Sequence, residues 1–229
     1  MAEKLRYMRE PFIQSFASFE SFENKDVLEI GVGTGIDFMQ FMRHHANATG
    51  IDISLKSLEI CKRRLSTRGI KPEVVLADAE NLPIVDNHFD LVYSYGVIHH
   101  SPAPEKVVSE IYRVMKPGAK IKAMVYHRHS LVSLRKMMWE IVLKRRIRNS
   151  LDEVLSESLE SRGTRAYSLA GVRWLFSKFK ELTAHPILTY YDVGFVPPKF
   201  LQQFASRIGF FIMVTGVKPS QTMGKEEEA

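Results

Sequence analysis

The sequence predicts an α/β protein built on a doubly wound, mostly parallel sheet. Three observations carry this. Residues 26–35, DVLEIGVGTG, read as a buried strand that runs into a glycine-rich turn and then a helix. A second apolar run at 48–53 follows one helix later, with an acid, Asp52, near its end. Beyond it, strand-like and helix-like stretches alternate as far as Tyr126, at the spacing of crossover units.

The elements follow in order. Residues 7–19 carry Phe12, Ile13, Phe16 and Phe19 at helical spacing and predict a short helix packed across the domain, with Asn24 and Lys25 as the turn before the first strand, 27–30. Gly31, Gly33 and Gly35 form the next turn, and helix 36–45 buries Phe38, Met39, Phe41 and Met42. Ser54 has the side chain of an N-cap, and Leu55, Leu58, Cys61 and Leu65 share one face of the helix it starts, which Gly69 ends. Cys61 reads as core. A short strand at 74–76 delivers Asp78, and a fourth at 91–94 follows the turn 85–88. Helix 102–115 turns Val107, Val108, Ile111, Val114 and Met115 inward, residues 116–118 close it, and strand 119–126 alternates.

After Tyr126 the pattern changes. Helices are expected at 131–148, 151–159 and 167–180, the last with Ser168 near its start. A strand is expected at 180–191, a helix at 197–208 with proline in its first turn, a last strand at 210–217, and a disordered acidic tail at 222–229. This divides the chain into an N-terminal helical cover (1–24), a cofactor-binding α/β core (25–126), a helical substrate or lid region (127–180), a closing strand–helix–strand of the same sheet (181–219) and a tail (220–229).

Composition sets the limits. The 229 residues suffice for one α/β domain with a small addition, and 45% apolar with 25% charged residues is ordinary for a soluble protein. No run of 18 apolar residues spans a bilayer, and the charged N-terminus has no apolar signal core, so a cytoplasmic setting is expected. A single cysteine excludes a disulfide framework and cysteine-based zinc sites, and no metal is expected. The net charge of +6 is uneven: residues 1–126 hold 16 basic and 16 acidic side chains, whereas residues 127–229 hold 16 and 10. The run 128–148 has seven bases against Glu140. Leu131, Leu134, Met138, Ile141, Val142 and Arg145 fall at spacings of three and four, an apolar stripe for most of its length, and Trp139 suits an interface, so helix 131–148 fits either a lid packed on the domain or a peripheral membrane contact.

The chemistry gathers at the strand ends, where ligands of open α/β sheets bind. The ends carry Glu29, Asp52, Asp78, Tyr95 and Tyr126. A turn without side chains lets backbone approach a ligand, and a carboxylate at the tip of the second strand suits a ribose with two free hydroxyls. The Gly31-x-Gly33-x-Gly35 spacing is not a dinucleotide fingerprint, and Glu29 beside it would repel a pyrophosphate. A cationic, phosphate-free cofactor tolerates Glu29 and can be held by it through its amine. That points to S-adenosylmethionine, with S-adenosylhomocysteine as product.

Residues 27–35 (VLEIGVGTG), 49–54 (TGIDIS), 77–101 (ADAENLPIVDNHFDLVYSYGVIHHS) and 110–126 (EIYRVMKPGAKIKAMVY) together resemble the class I S-adenosylmethionine-dependent methyltransferases, in the branch of the ubiquinone/menaquinone and sterol C-methyltransferases. The closing GFFIMVTGVKP, 209–219, is similar to the last strand of many of them, while residues 127–208 resemble the family less. The resemblance implies a seven-stranded sheet whose seventh strand is antiparallel. It implies that Gly31 and Gly33 approach the cofactor, that Glu29 orients the turn or the amine, and that Asp52 binds the ribose. It also places Ile53 on the adenine, Asp78 at the adenine amine with Ala79 lining that pocket, and Tyr95 and Gly96 at the methionine moiety. Val32 stands where many members have Cys or Ala, and Lys120 and Lys122 share one face of a strand that is more apolar in some members.

Methyl transfer from a sulfonium needs an acceptor held in line, and a base only if the acceptor must lose a proton. His99, His100 and His127 are the candidate bases, with His129 beside them, and Tyr95 and Tyr126 can orient an acceptor. Tyr7 is expected beside the cofactor, and Tyr7 and Phe12 in the roof of the acceptor site. The expected acceptor is a small molecule. The alternatives are a lipid or quinone at a membrane surface, an RNA or a protein, and a non-catalytic cofactor-binding module. Nucleic acid is disfavoured, because the chain lacks an asparagine-proline-proline-aromatic motif and an RNA-binding appendage.

Overall fold

Seven strands among the described residues form one sheet in the order β3-β2-β1-β4-β5-β7-β6. They are β1 (Asp26–Ile30), β2 (Asn47–Asp52), β3 (Glu73–Leu76), β4 (Phe89–Tyr95), β5 (Met115–Tyr126), β6 (Lys180–Ile187) and β7 (Phe211–Val217). The structure is a computed structural model that describes residues 2–144, 153, 155–156 and 163–220. Strands β1 to β5 are parallel, and β7 runs antiparallel between β5 and β6. This is the seven-stranded, mostly parallel arrangement expected from the sequence. Parallel neighbours need crossovers, so the helices cover both faces of the sheet.

One face packs against α5 (Pro104–Val114) and α7 (Leu169–Leu175), through Val107, Val108, Ile111, Val114, Val172 and Leu175. Each of these side chains contributes roughly 1.5–3 kcal/mol relative to exposure. The other face packs against α2 (Phe12–Ala17), α3 (Ile36–Arg43) and α4 (Leu55–Ser66). Phe38, Met39 and Phe41 are buried there as expected, whereas Met42 is half-buried. Ser54 caps α4, its hydroxyl accepting from the Ser57 N–H at 3.2 Å, and Ser168 caps α7 by accepting from Gly171 at 3.0 Å. Cys61 is fully buried in this core, and burial pushes its thiol up to about 11.

Several expectations need correction. The single helix at 7–19 is two, α1 (Ala2–Arg9) and α2, separated at Glu10-Pro11, because proline has no N–H to continue a helix. Leu55, in the first turn of α4, is exposed rather than inward. Residues 116–118 do not close a helix. They belong to β5, which starts at Met115 and shifts register between Phe89 and Leu91 of its neighbour. Residues 188–191 leave the strand: Thr189 and Asp192 form a capping box that starts the one-turn helix α8 (Tyr190–Val193). The expected helix at 197–208 is a 3-10 turn, Lys199–Phe204, followed by one α turn, α9 (Ala205–Ile208). Pro186 sits in β6, an edge strand, where a missing N–H costs no ladder bond. Helix α6 (Leu131–Lys144) is seen where the long helix was expected. Residues 145–148, most of 151–159, and the tail 222–229 lie outside the described residues. Lys122 is covered by the N-terminal segment: its ammonium donates to Ala17 O at 2.8 Å, and burial lowers it to about 8.

Candidate cofactor and acceptor site

The site lies beyond the carboxyl ends of β1, β2, β3, β4 and β5. At the end of β1 the chain turns through Gly31 at φ +75° and Gly33 at φ +52°. A Cβ on Gly31 would collide with the Val97 side chain, while one on Gly33 would meet nothing within 4 Å, because that position is open. The Gly33 N–H donates to Asp52 Oδ2 at 2.9 Å, and the Ser54 N–H donates to Asp52 Oδ1 at 2.8 Å. Two backbone donors thus fix the carboxylate at the tip of β2 and leave lone pairs for a ligand.

Two cavities flank this turn and share Gly31 and Gly96. The smaller, of about 410 Å³, is lined by Asp52, Ile53, Asp78, Ala79 and His100, among others. Ile53 is 73% exposed, an apolar side chain held open on the cavity wall. Asp78 Oδ1 accepts from the Glu80 N–H at 2.9 Å. The larger, of about 610 Å³, is lined by Glu29, Gly33, Thr34 and Tyr95 and, from outside the expected set, by Arg6, Glu10 and Asp37. The expected cofactor residues therefore divide between two adjoining spaces.

Glu29 is only 4% exposed, and its Oε2 has no hydrogen-bond partner. Burial pushes its carboxyl well above the usual carboxylate range, and the charge of Asp37 adds to that. A buried, unpartnered carboxylate at a cavity wall is a ready site for a cation. Asp37 is satisfied. Arg6 donates to it from Nε at 3.0 Å and from Nη2 at 2.7 Å, and the Tyr7 and Tyr93 hydroxyls donate at 2.9 and 3.2 Å. Tyr7 is therefore committed to Asp37 and lines neither cavity. Phe12 packs edge-on against Phe211, at 6.5 Å between centroids.

Among the candidate bases, His100 lines the smaller cavity, with its Nδ1 3.0 Å from Thr164 Oγ1. His99 lines neither cavity. Its ring stacks on Tyr126 at 3.9 Å, both nitrogens lack partners, and burial, with His100 nearby, holds it well below the usual histidine range. His127 also lines neither cavity. Its Nδ1 lies 2.8 Å from Gly209 O, which suits a structural donor, and burial lowers its pKa. Tyr95 and Tyr126 both line the larger cavity.

Against this geometry, the family model for a methyltransferase domain matches residues 28–122. Residues 28–122 are a class I S-adenosylmethionine-dependent methyltransferase domain. Over 104 residues the chain is 34% identical to phthiotriol/phenolphthiotriol dimycocerosates methyltransferase 1 of Mycobacterium ulcerans, covering 44% of this chain and 38% of that protein. It is 36% identical over 104 residues to a ubiquinone/menaquinone biosynthesis C-methyltransferase of Cupriavidus necator, covering 44% and 42%. The matched stretch thus spans about two-fifths of each relative. An S-adenosylmethionine-dependent methyltransferase of Methanosarcina mazei superposes with a TM-score of 0.62 at 16% identity, covering 87% of this chain and 94% of that one, which shows the shared fold.

The methyltransferase domain's cofactor, S-adenosylmethionine, fits the residues present. The unpartnered Glu29 Oε2 suits its ammonium, the open Cβ direction at Gly33 leaves room for it, and the fixed Asp52 suits a ribose diol.

Proposed function

We propose that this protein transfers a methyl group from S-adenosylmethionine to a small-molecule acceptor in the larger cavity. The observation that carries the reading is the meeting of two cavities at Gly31 and Gly96, with a buried, unpartnered carboxylate on one side and the Asp52–Asp78 wall on the other. In this reading Asp52 accepts from the ribose hydroxyls, and Ile53 and Ala79 hold the adenine between them near Asp78. Glu29 accepts from the ammonium, and Arg6 stands at the same wall for the carboxylate. When bound, the cofactor supplies an electrophilic methyl group on a sulfonium. The chain's own part is to hold the acceptor in line with that methyl and to keep water out. Helices α1 and α6 serve as the cover, since they supply Arg6, Val132, Arg135 and Lys136 to the cavity wall.

The test is calorimetry with S-adenosylhomocysteine on the wild type and on Asp52→Ala. Removing the carboxylate takes away two charge-assisted bonds, each worth on the order of 1.5–3 kcal/mol and not additive, so affinity should fall at least tenfold. Unchanged affinity would refute the placement of the ribose.

An acceptor with a long apolar tail is the second reading. Leu134, Met138 and Trp139 on α6 are exposed, and so are Phe195, Val196, Phe200 and Phe204 after α8. The two relatives described above are named for phthiotriol/phenolphthiotriol dimycocerosates and for ubiquinone/menaquinone biosynthesis. Among the described residues no helix is long and apolar enough to cross a membrane. Sedimentation with anionic vesicles separates the two readings: binding at low salt that fades as ions screen it supports a membrane-borne acceptor. Absence of binding at low salt leaves the soluble acceptor.

A further inference from the structure

We propose that the acceptor is a protonated amine, and that Glu10 holds its ammonium and receives its proton. The inference rests on the assignment of the larger cavity as the acceptor site. Glu10 follows α1 directly and lines that cavity, yet it is only 5% exposed. The Tyr95 hydroxyl donates to its Oε2 at 3.1 Å, the Tyr191 hydroxyl also donates to it, and the Arg6 guanidinium lies 3.6 Å away. The cofactor has no use for this carboxylate, because Glu29 already stands beside the glycine turn for the amino group.

The aromatic part of the wall suits a cation. Tyr126, Tyr191, Phe210 and Phe211 line the same space around Phe211, whose ring lies 5.7 Å from Tyr126, 5.7 Å from Tyr191 and 5.2 Å from Phe210. The Tyr95 ring already carries a cation, Arg6, 4.9 Å from its centroid. Aromatic faces around one carboxylate form the usual receptor for an ammonium group. The charge of Arg6, 3.6 Å from Glu10, works against a second cation there and is offset in part by Asp37, which accepts from two Arg6 nitrogens. Arg135 and Lys136 line the wall from α6 and repel a cation from there, which leaves the Glu10 side as its place.

The chemistry balances. The ammonium gives one proton to the Glu10 carboxylate, and burial, which raises the affinity of this group for a proton, makes that transfer easier. The freed nitrogen lone pair then forms the N–C bond as the C–S bond breaks, with the C–S electron pair left on sulfur. The product is a methylated ammonium and a neutral thioether, and Glu10 returns its proton to solvent.

The experiment compares 2-phenylethylamine with 2-phenylethanol, alike in shape and different in charge. Each is titrated calorimetrically into full-length protein saturated with S-adenosylhomocysteine. The amine should bind at least tenfold tighter than the alcohol. Glu10→Gln should weaken the amine about tenfold and leave S-adenosylhomocysteine affinity unchanged. Tyr191→Leu, at a 45% exposed position that does not endanger folding, should weaken the amine severalfold and leave the alcohol near its original affinity. An amine that binds no better than the alcohol, or that binds both variants as it binds the wild type, overturns the proposal. Failure of the wild type to bind S-adenosylhomocysteine overturns the cofactor assignment as well and is seen in the first titration.

Discussion

Glu29→Gln separates function from stability at one atom. The substitution keeps the shape of the side chain and removes its charge. Glu29 is buried, has an unpartnered Oε2 and sits near the negative Asp37, so its ionised form opposes folding. Its folded pKa lies above its unfolded one. Between the two values the folded state binds more protons than the unfolded state, so stability falls as pH rises through that window. At neutral pH the glutamine avoids this cost. An unpaired buried charge weighs more than a neutral amide, and the gain should be on the order of 1 kcal/mol. For a chain of this size that raises Tm by about 2–4 °C. Affinity should move the other way: losing one member of a buried charged pair costs about 2 kcal/mol at least, roughly thirtyfold in Kd for S-adenosylhomocysteine. Differential scanning calorimetry at pH 7.5 and at pH 4.5, with calorimetric titration at pH 7.5, reads both effects. The thermal gain should shrink at the lower pH, which lies close to the free glutamate pKa, so that the folded carboxyl is protonated and the unfolded one about half so. A variant that is less stable at pH 7.5, or that binds the thioether as tightly as the wild type, would refute the reasoning.

Further expectations follow from the same geometry. Gly31→Ala places a methyl against Val97 at φ +75°, and should cost about 1–3 kcal/mol of stability and most cofactor affinity, read by denaturant titration and calorimetry. Arg6→Ala leaves the buried Asp37 without its bidentate partner and should cost about 1–3 kcal/mol, measured by urea unfolding; a neutral result would show the pair to be dispensable. Cys61 should resist thiol reagents in the native protein and react on unfolding, because it is fully buried with a thiol pushed up to about 11; rapid native labelling would contradict the packing of α4.

What could be read in advance was local. The strand, glycine turn and helix at 26–43, the Ser54 and Ser168 caps and the end positions of Asp52 and Asp78 depend on neighbours within a few residues, so sequence spacing reports them. The network of Arg6, Asp37, Tyr7 and Tyr93 depends on side chains 30 to 56 positions apart, and nothing in the charged N-terminal helix separates Arg6 or Glu10 from a solvated face. Asp37 reads from sequence as an acid in the first turn of a helix, where the dipole alone would account for it. The histidines illustrate the reverse case. Their positions after β4 and β5 suggest bases, but the turn Ile98–His100 folds His99 under Tyr126, and His127 is spent on Gly209. Lys116-Pro117-Gly118 has the composition of a turn, yet Gly118 donates to Lys218 O and the segment continues β5. At 188–193 a local cap, Thr189 with Asp192, outweighs the strand preference of Tyr190 and Tyr191.

The most direct measurement is a crystal structure of the full chain with S-adenosylhomocysteine. The account expects the ribose diol on Asp52, the adenine between Ile53 and Ala79, the ammonium on Glu29 Oε2, and the sulfur beside Gly96 where the two cavities meet. A thioether bound with its ribose away from Asp52, or with its amino group away from Glu29, would contradict it.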